Sequence, residues 1–268
     1  MAIDPTARVD SKAVIGADVT IGPFCTIGPN VKIGDGCVLQ SHVNIEGHTT
    51  LGARNKISPF VSLGGPPQSI KYAGQPTRLE IGSDNTIREH VTMNIGTAED
   101  GGLTKVGDRN FIMTGTHVAH DCKVGNDITF ANNILLGGHT VIGDRVTFGG
   151  GAAVRQFVRI GEGAMIVGLS GIRADVIPFA IAHGPLAGLV GLNVIGLRRR
   201  GVTKEGLHKI RDAYQAIFFG EGTFKERVAN LPRHFSDEPM IVKILDFIKA
   251  AKRPLTMATH RNDLGESS

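Results

Sequence analysis

Three patterns predict a mainly β chain, a left-handed parallel β-helix built as a hexapeptide-repeat prism, followed by a small α-helical C-terminal domain. Apolar residues recur every six positions over most of the sequence, small or β-branched residues follow four positions after them, and beyond Pro185 the period becomes helical. The expected division is 1–185 for the prism, interrupted by loops 64–78 and 97–105, and 186–268 for the helical part.

The first run of apolar anchors is Ile3, Val9, Ile15, Ile21, Ile27, Ile33, Leu39, Ile45, Leu51, Ile57 and Leu63. Cys25, Val31, Cys37 and Val43 are among the residues in the small-residue position, and glycine follows the anchor directly at Gly16, Gly22, Gly28, Gly34 and Gly52. Each hexad reads as a short strand that buries its anchor and then turns a corner, so three hexads close one triangular coil of about 18 residues. The register resumes at Ile81, Ile87 and Met93, and runs again from Val106 to Ile172. Coils stacked about 4.8 Å apart make some eight to nine layers and a prism of roughly 40 Å. Prisms of this type coil left-handed, against the usual crossover rule. Past Pro185, Leu207, Ile210, Tyr214, Ile217 and Phe218 share a helical face, Thr223 and Glu226 form a capping box, and Ile241, Ile244, Leu245 and Ile248 make another stripe. These helices are expected to cover the open strand edges of the last coil.

Composition narrows the function. Trp is absent and there are 36 glycines, which suits tight corners. The three cysteines, Cys25, Cys37 and Cys122, all fall on the inward small-residue position and have no zinc spacing, so free thiols and a cytoplasmic location are expected. Hexads begin at Ile3 without a charged and apolar leader, and no run of about 18 apolar residues occurs, so neither export nor an integral membrane segment is expected. The net charge of +4 is modest. Its one cluster, Arg198-Arg199-Arg200, reads most simply as a solvated helix end. With few aromatics beside it, it suits a phosphate or an acidic protein better than nucleic acid.

Residues one coil apart stack, which brings polar groups together at one corner. His120, Gly138 and Gln156 form one column, Asp121, His139 and Phe157 the next, and His117 lies close by. Imidazole is a base near neutral pH, and a glycine N–H is a common oxyanion donor. His120 and Gly138 are stacked for those two roles in acyl transfer, with Asp121 to orient an imidazole. The same histidines fit a zinc site with an open position, as in hexapeptide-repeat carbonic anhydrases of the gamma type. A non-catalytic scaffold has no need of such a corner.

Six segments carry a resemblance over essentially the whole chain: Ile21-Gly22-Pro23-Phe24-Cys25, Lys71 to Arg78 (KYAGQPTR), Gly101 to Gly107 (GGLTKVG), Ala119-His120-Asp121-Cys122, Ala131-Asn132-Asn133, and Gly196 to Gly201 (GLRRRG). In these the chain resembles the bacterial UDP-N-acetylglucosamine O-acyltransferases that begin lipid A synthesis. That resemblance implies a homotrimer without cofactor or metal, moving an (R)-3-hydroxyacyl chain from acyl carrier protein to a UDP-amino sugar. It makes His120 the general base and Gly138 the oxyanion donor. It gives His117, Asp121, His139 and Gln156 substrate contacts, brings Gln68, Ser69 and Lys71 to a neighbouring subunit's site, and assigns Asn193, Arg199 and Arg200 to the nucleotide. It lines the acyl groove with Gly150, Met165 and Gly168, the last leaving room for a long chain.

The chain departs from the family pattern at four places. Ser69 stands where aspartate is usual, Arg155 and Asn94-Ile95 replace histidine-containing positions, and Ile195 replaces a glutamate. A carboxylate beside a 3-amine favours its ammonium form and removes the nucleophilic lone pair. Ser69 therefore suits an acceptor with a 3-amino group in place of the 3-hydroxyl. The related N-acyltransferases of the same pathway carry an additional N-terminal uridine-binding domain, whereas hexads here begin at Ile3.

Overall fold

The computed structural model describes residues 2–235 and 237–259, so the last part of the 186–268 segment lies outside the described residues. The hexads form the parallel rungs of three sheets, the faces of a left-handed β-helix, and with the hairpin that follows them the sheets have eleven, nine and eight strands among the described residues. Most strands are only two residues long, as in Thr20–Ile21 and Thr26–Ile27. Rungs pair one coil apart, Thr20 with Val38 and His117 with Leu135. Across the two insertions the step lengthens, so that Lys56 pairs with Thr86 and Thr86 with Phe111.

Anchors fill the interior, and at most corners the third residue after the anchor has left-handed backbone, among them Asp121 at φ 59°, His139 at 61° and Phe157 at 68°. That conformation costs a non-glycine residue about 1–2 kcal/mol, so the repeat must impose it. The core includes the stacked rings of Phe130 and Phe148, 4.9 Å apart, and a ladder of buried amides. Asn85 Nδ2 donates to Asn55 Oδ1 at 2.9 Å, and Asn110 N–H donates to Asn85 Oδ1 at the same distance. All three cysteines are buried and free, and burial pushes the Cys122 thiol up to about 12, well away from thiolate chemistry.

Three expectations change. The anchors of the first coil are not fully enclosed: Ile3 is exposed and Val9 and Ile15 only half-buried, because no coil covers that end of the core. The second insertion is shorter than 97–105, since Leu103–Val106 already forms a strand that pairs with Arg78–Ile81. Helix does not begin directly after Pro185. Ala180–His183 continues the first face parallel to Met165 and Ile166, and Gly188–Leu192 folds back on it antiparallel. The segment near Leu255 bridges to Asp175. Hairpin and returning chain therefore satisfy the last strand edges. The helices follow as α1 (Val194–Arg199), α2 (Lys204–Phe219), α3 (Phe224–Ala229) and α4 (Pro239–Lys249). The Thr223–Glu226 capping box closes at α3, and Ile241, Ile244 and Ile248 are buried on α4 while Leu245 is half-buried. α4 is tied to the prism by Arg159, whose guanidinium donates to Asp175 and to the Phe247 carbonyl and lies 4.2 Å over the Phe247 ring.

Candidate active site

His120 and Asp121 occupy the corner after the strand His117–Val118. His120 Nδ1 lies 2.8 Å from Asp121 Oδ2, and Asp121 is fully buried. Its carboxylate is held from the second insertion, where the Thr97 N–H donates to Oδ1 at 2.9 Å and the Thr97 hydroxyl to Oδ2 at 2.7 Å. The Asp121 N–H donates to Thr104 Oγ1 at 2.8 Å. A carboxylate fixed in this way selects the tautomer with the proton on Nδ1 and leaves the Nε2 lone pair of His120 available as a base.

Gly138 stands one coil above, with the imidazole directly against it. A Cβ there would lie 2.6 Å from His120 Cε1 and 2.8 Å from Nε2, so only glycine leaves room for the ring. Among the described residues the Gly138 N–H makes no hydrogen bond. His139 meets His120 edge to face at 5.2 Å, stacks on Phe157 at 4.4 Å, and brings Nε2 to 3.7 Å from Asp121 Oδ2. Ligand atoms of His120, Asp121 and His139 lie within 4.8 Å of one another, close enough to share an ion. His117 turns instead to Thr92, with Nδ1 2.8 Å from its hydroxyl, so the predicted three-histidine metal set is not brought together. Burial, then the neighbouring His120, lowers the His117 pKa below its ordinary value and keeps that ring neutral.

Two cavities border the C-terminal part of the chain, and one of them reaches this corner. One of about 960 Å³ is lined by Asn193, Ile195, Arg199, Arg200, Arg145 and Met165, which puts Met165 with the nucleotide candidates and not beside Gly150 and Gly168. Gly150 and Gly168 stack on each other one coil apart. Arg200 is no solvated helix end, since its side chain is only 13% exposed and paired with Glu162. The other cavity, about 660 Å³, joins His139 and Phe157 to Glu99, Lys252 and Arg253, and Arg253 lies 4.6 Å over the Phe157 ring. Gln68 and Lys71 are exposed on the first insertion, Ser69 half-buried. Lys71 pairs with Glu99 at 3.1 Å. Gln156 is exposed one coil above Gly138.

The hexapeptide model for bacterial transferases (six repeats) matches residues 12–47, and the model described as UDP-N-acetylglucosamine O-acyltransferase, domain 2, matches residues 175–256. The chain is 54% identical over 254 residues to the acyl-(acyl-carrier-protein):UDP-N-acetylglucosamine O-acyltransferase of Azorhizobium caulinodans, covering 94% of each chain. The chain belongs to the UDP-N-acetylglucosamine O-acyltransferase family. The same enzyme of Rhizobium johnstonii is 46% identical over 248 residues, 92% of this chain and 91% of the relative. Among solved structures, the family member from Moraxella catarrhalis superposes with a TM-score of 0.91 at 41% identity, over 96% of this chain and 100% of that one. Membership in this O-acyltransferase family leaves the carbonic anhydrase reading without support.

Sequence reasoning missed the supports of the site. Thr97 sits in an insertion that interrupts the lattice, so column counting could not aim it at Asp121, and Thr104, one coil below Cys122, carried no sign that its hydroxyl accepts from the Asp121 N–H. Phe157 was visible in the right column, but not its role as the platform under His139. Glu162 and Arg145 carried no motif at all.

Proposed function

We propose that the protein transfers an (R)-3-hydroxyacyl chain from acyl carrier protein to the 3-position of UDP-N-acetylglucosamine, opening lipid A synthesis in the cytoplasm. The observation that carries this reading beyond family membership is His120, pinned through Nδ1 by a buried carboxylate while its other edge lies against Gly138. Nε2 takes the proton of the sugar 3-hydroxyl as that oxygen attacks the thioester carbonyl carbon. The Gly138 N–H donates to the oxyanion that develops. The tetrahedral intermediate then collapses, its C–S bond breaks with the electron pair going to sulfur, and the imidazolium gives its proton to the departing thiolate, releasing the carrier thiol and a neutral His120. Asp121 stabilises the imidazolium without itself accepting the proton.

Asn193, Arg199 and Arg200 hold the nucleotide in the larger cavity, where arginine forks match diphosphate oxygens. His117, His139 and Gln156 position sugar and thioester arm, and Gly150 and Gly168 border the acyl groove. The active form is a homotrimer, with Gln68, Ser69 and Lys71 reaching a neighbour's site. Support comes from apolar side chains left open on one side of the prism, Phe24, Phe60, Leu135 and Leu169, together with Ile70 on the loop itself. Among the described residues no helix is long and apolar enough to cross a membrane.

The test is an assay of purified protein with a series of 3-hydroxyacyl carrier thioesters and UDP-N-acetylglucosamine, following acylated sugar. No product with any chain length overturns the assignment. Metal analysis of the active protein accompanies it, since one zinc per chain would reopen the hydratase reading. The same assay with the 3-amino acceptor, in wild type and Ser69→Asp, decides acceptor chemistry. Preference for the amine, weakened by the restored carboxylate, supports an amide-forming enzyme; wild-type preference for the hydroxyl sugar rejects it.

A further inference from the structure

The second residue after each anchor of the third face forms a column whose side chains serve the coil below. Asp35 Oδ1 accepts the Ala17 N–H at 2.7 Å, Ser83 Oγ that of Ala53 at 3.0 Å, and Asp108 Oδ1 that of Ser83 at 2.7 Å. Asn126 and Asp144 do the same for Asp108 and Asn126, both at 2.8 Å. Every one of these acceptors sits on a short side chain. The next member is Glu162, one methylene longer, and its carboxylate turns to three cations instead. Oε1 lies 3.2 Å from Arg200 and 3.5 Å from Arg145, and Oε2 lies 2.5 Å from Lys243 on α4.

The adjoining Gly163 completes a seat for α1. Its carbonyl accepts from Asn193 Nδ2 at 3.0 Å, while Asn193 Oδ1 caps α1 through the Gly196 N–H. A Cβ on Gly163 would stand 2.5–2.7 Å from the Arg200 guanidinium, which also lies 5.0 Å over the Phe179 ring. Both ends of α1 are thus fixed to one corner of the prism, and α1 forms a wall of the large cavity.

We propose that Glu162 is the positioning residue of the nucleotide site, reaching out of its column to aim Arg200 and gather Arg145 and Lys243 around the diphosphate pocket. The proposal rests on the assignment of that cavity to the nucleotide. It separates geometry from charge. Removing a carboxylate makes the pocket more positive, and by Coulomb attraction alone would tighten a bound anion; loss of aim weakens it.

The experiment measures UDP binding to the full-length protein by calorimetry, together with steady-state kinetics, for Glu162→Gln, Glu162→Asp and Arg200→Ala. Glu162→Gln should weaken UDP about tenfold, the scale of one misdirected charge-assisted bond, and raise KM for the UDP-sugar far more than it changes kcat or the KM for the acyl carrier thioester. Glu162→Asp keeps the charge but loses the reach, its carboxylate falling back to the Asp144 N–H, and should weaken UDP comparably. If Arg200→Ala weakens UDP while both Glu162 variants bind it as tightly as wild type or tighter, or if Asp fully restores the affinity lost with Gln, the positioning role is wrong. If Arg200→Ala leaves UDP binding unchanged, the cavity is not the nucleotide site and the proposal falls with that assignment.

Discussion

His120 depends on two neighbours that leave it no freedom, a buried carboxylate at one edge and a glycine at its face. His120→Ala should lower kcat by at least about a hundredfold with the fold intact, the range for loss of a general base. Gly138→Ala is the finer probe. Its methyl group would enter the space of the imidazole, so kcat should fall at least about tenfold although every titratable group survives; kcat near wild type would show that the ring need not sit where it does. His117 gives a prediction about stability. Because folding lowers its pKa from the ordinary 6.5, the unfolded chain takes up the proton first as pH falls. Its contribution is full above about pH 6.5 and declines below, so wild type should lose more stability between about pH 7 and 5 than His117→Asn, read by thermal melts at each pH. This corner was legible in the sequence because stacking follows from counting alone. The bonds that hold Asp121 were not, since Thr97 comes from an insertion whose length breaks the count.

Hexads reveal anchors and corners at the level of elements, because each short strand must present the same apolar position to the core. They were silent on the hairpin of Ala180–His183 with Gly188–Leu192. That pairing closes an edge, a demand set by the end of the solenoid and by no local pattern, and its glycine-rich returning strand has no alternation to announce it. The corner bearing Gly168 carries the chain-length prediction. Gly150 and Gly168 stack, and a Cβ on Gly168 would lie 3.1 Å from the Gly150 carbonyl oxygen, tight but in ordinary backbone. Gly168→Met should therefore project into the groove and shift preference toward acyl chains shorter by several carbons, each methylene excluded being worth roughly 0.8 kcal/mol. Competition between thioesters of different length reads it directly, and an unchanged profile would put the ruler elsewhere.

For the whole molecule the question is where a site ends and its neighbour begins. One chain brings His120, Asp121, Gly138 and His139 together, yet leaves Gln68 and Lys71 exposed on a loop whose Ile70 is fully in water. An isoleucine so placed gains from burial against another surface, and a second copy of this prism offers one in its open Phe24, Phe60, Leu135 and Leu169. The Lys71–Glu99 pair does little to hold the loop back, because both side chains are more than half exposed and such a pair contributes about 0–1 kcal/mol. If the loop serves a neighbour's site, His120→Ala and Lys71→Ala are defects of different chains and should complement. Each homotrimer is inactive or strongly impaired alone. Co-refolded, hybrids contain interfaces where an intact His120 of one chain meets an intact Lys71 of the next, and activity should return to a fraction set by the mixing ratio. The control is the double variant mixed with itself, which contains no such interface. Hybrid trimers isolated by differential tagging that show no more activity than that control would place Lys71 and His120 within one chain's own site, and the threefold sharing of the active site would have to be abandoned.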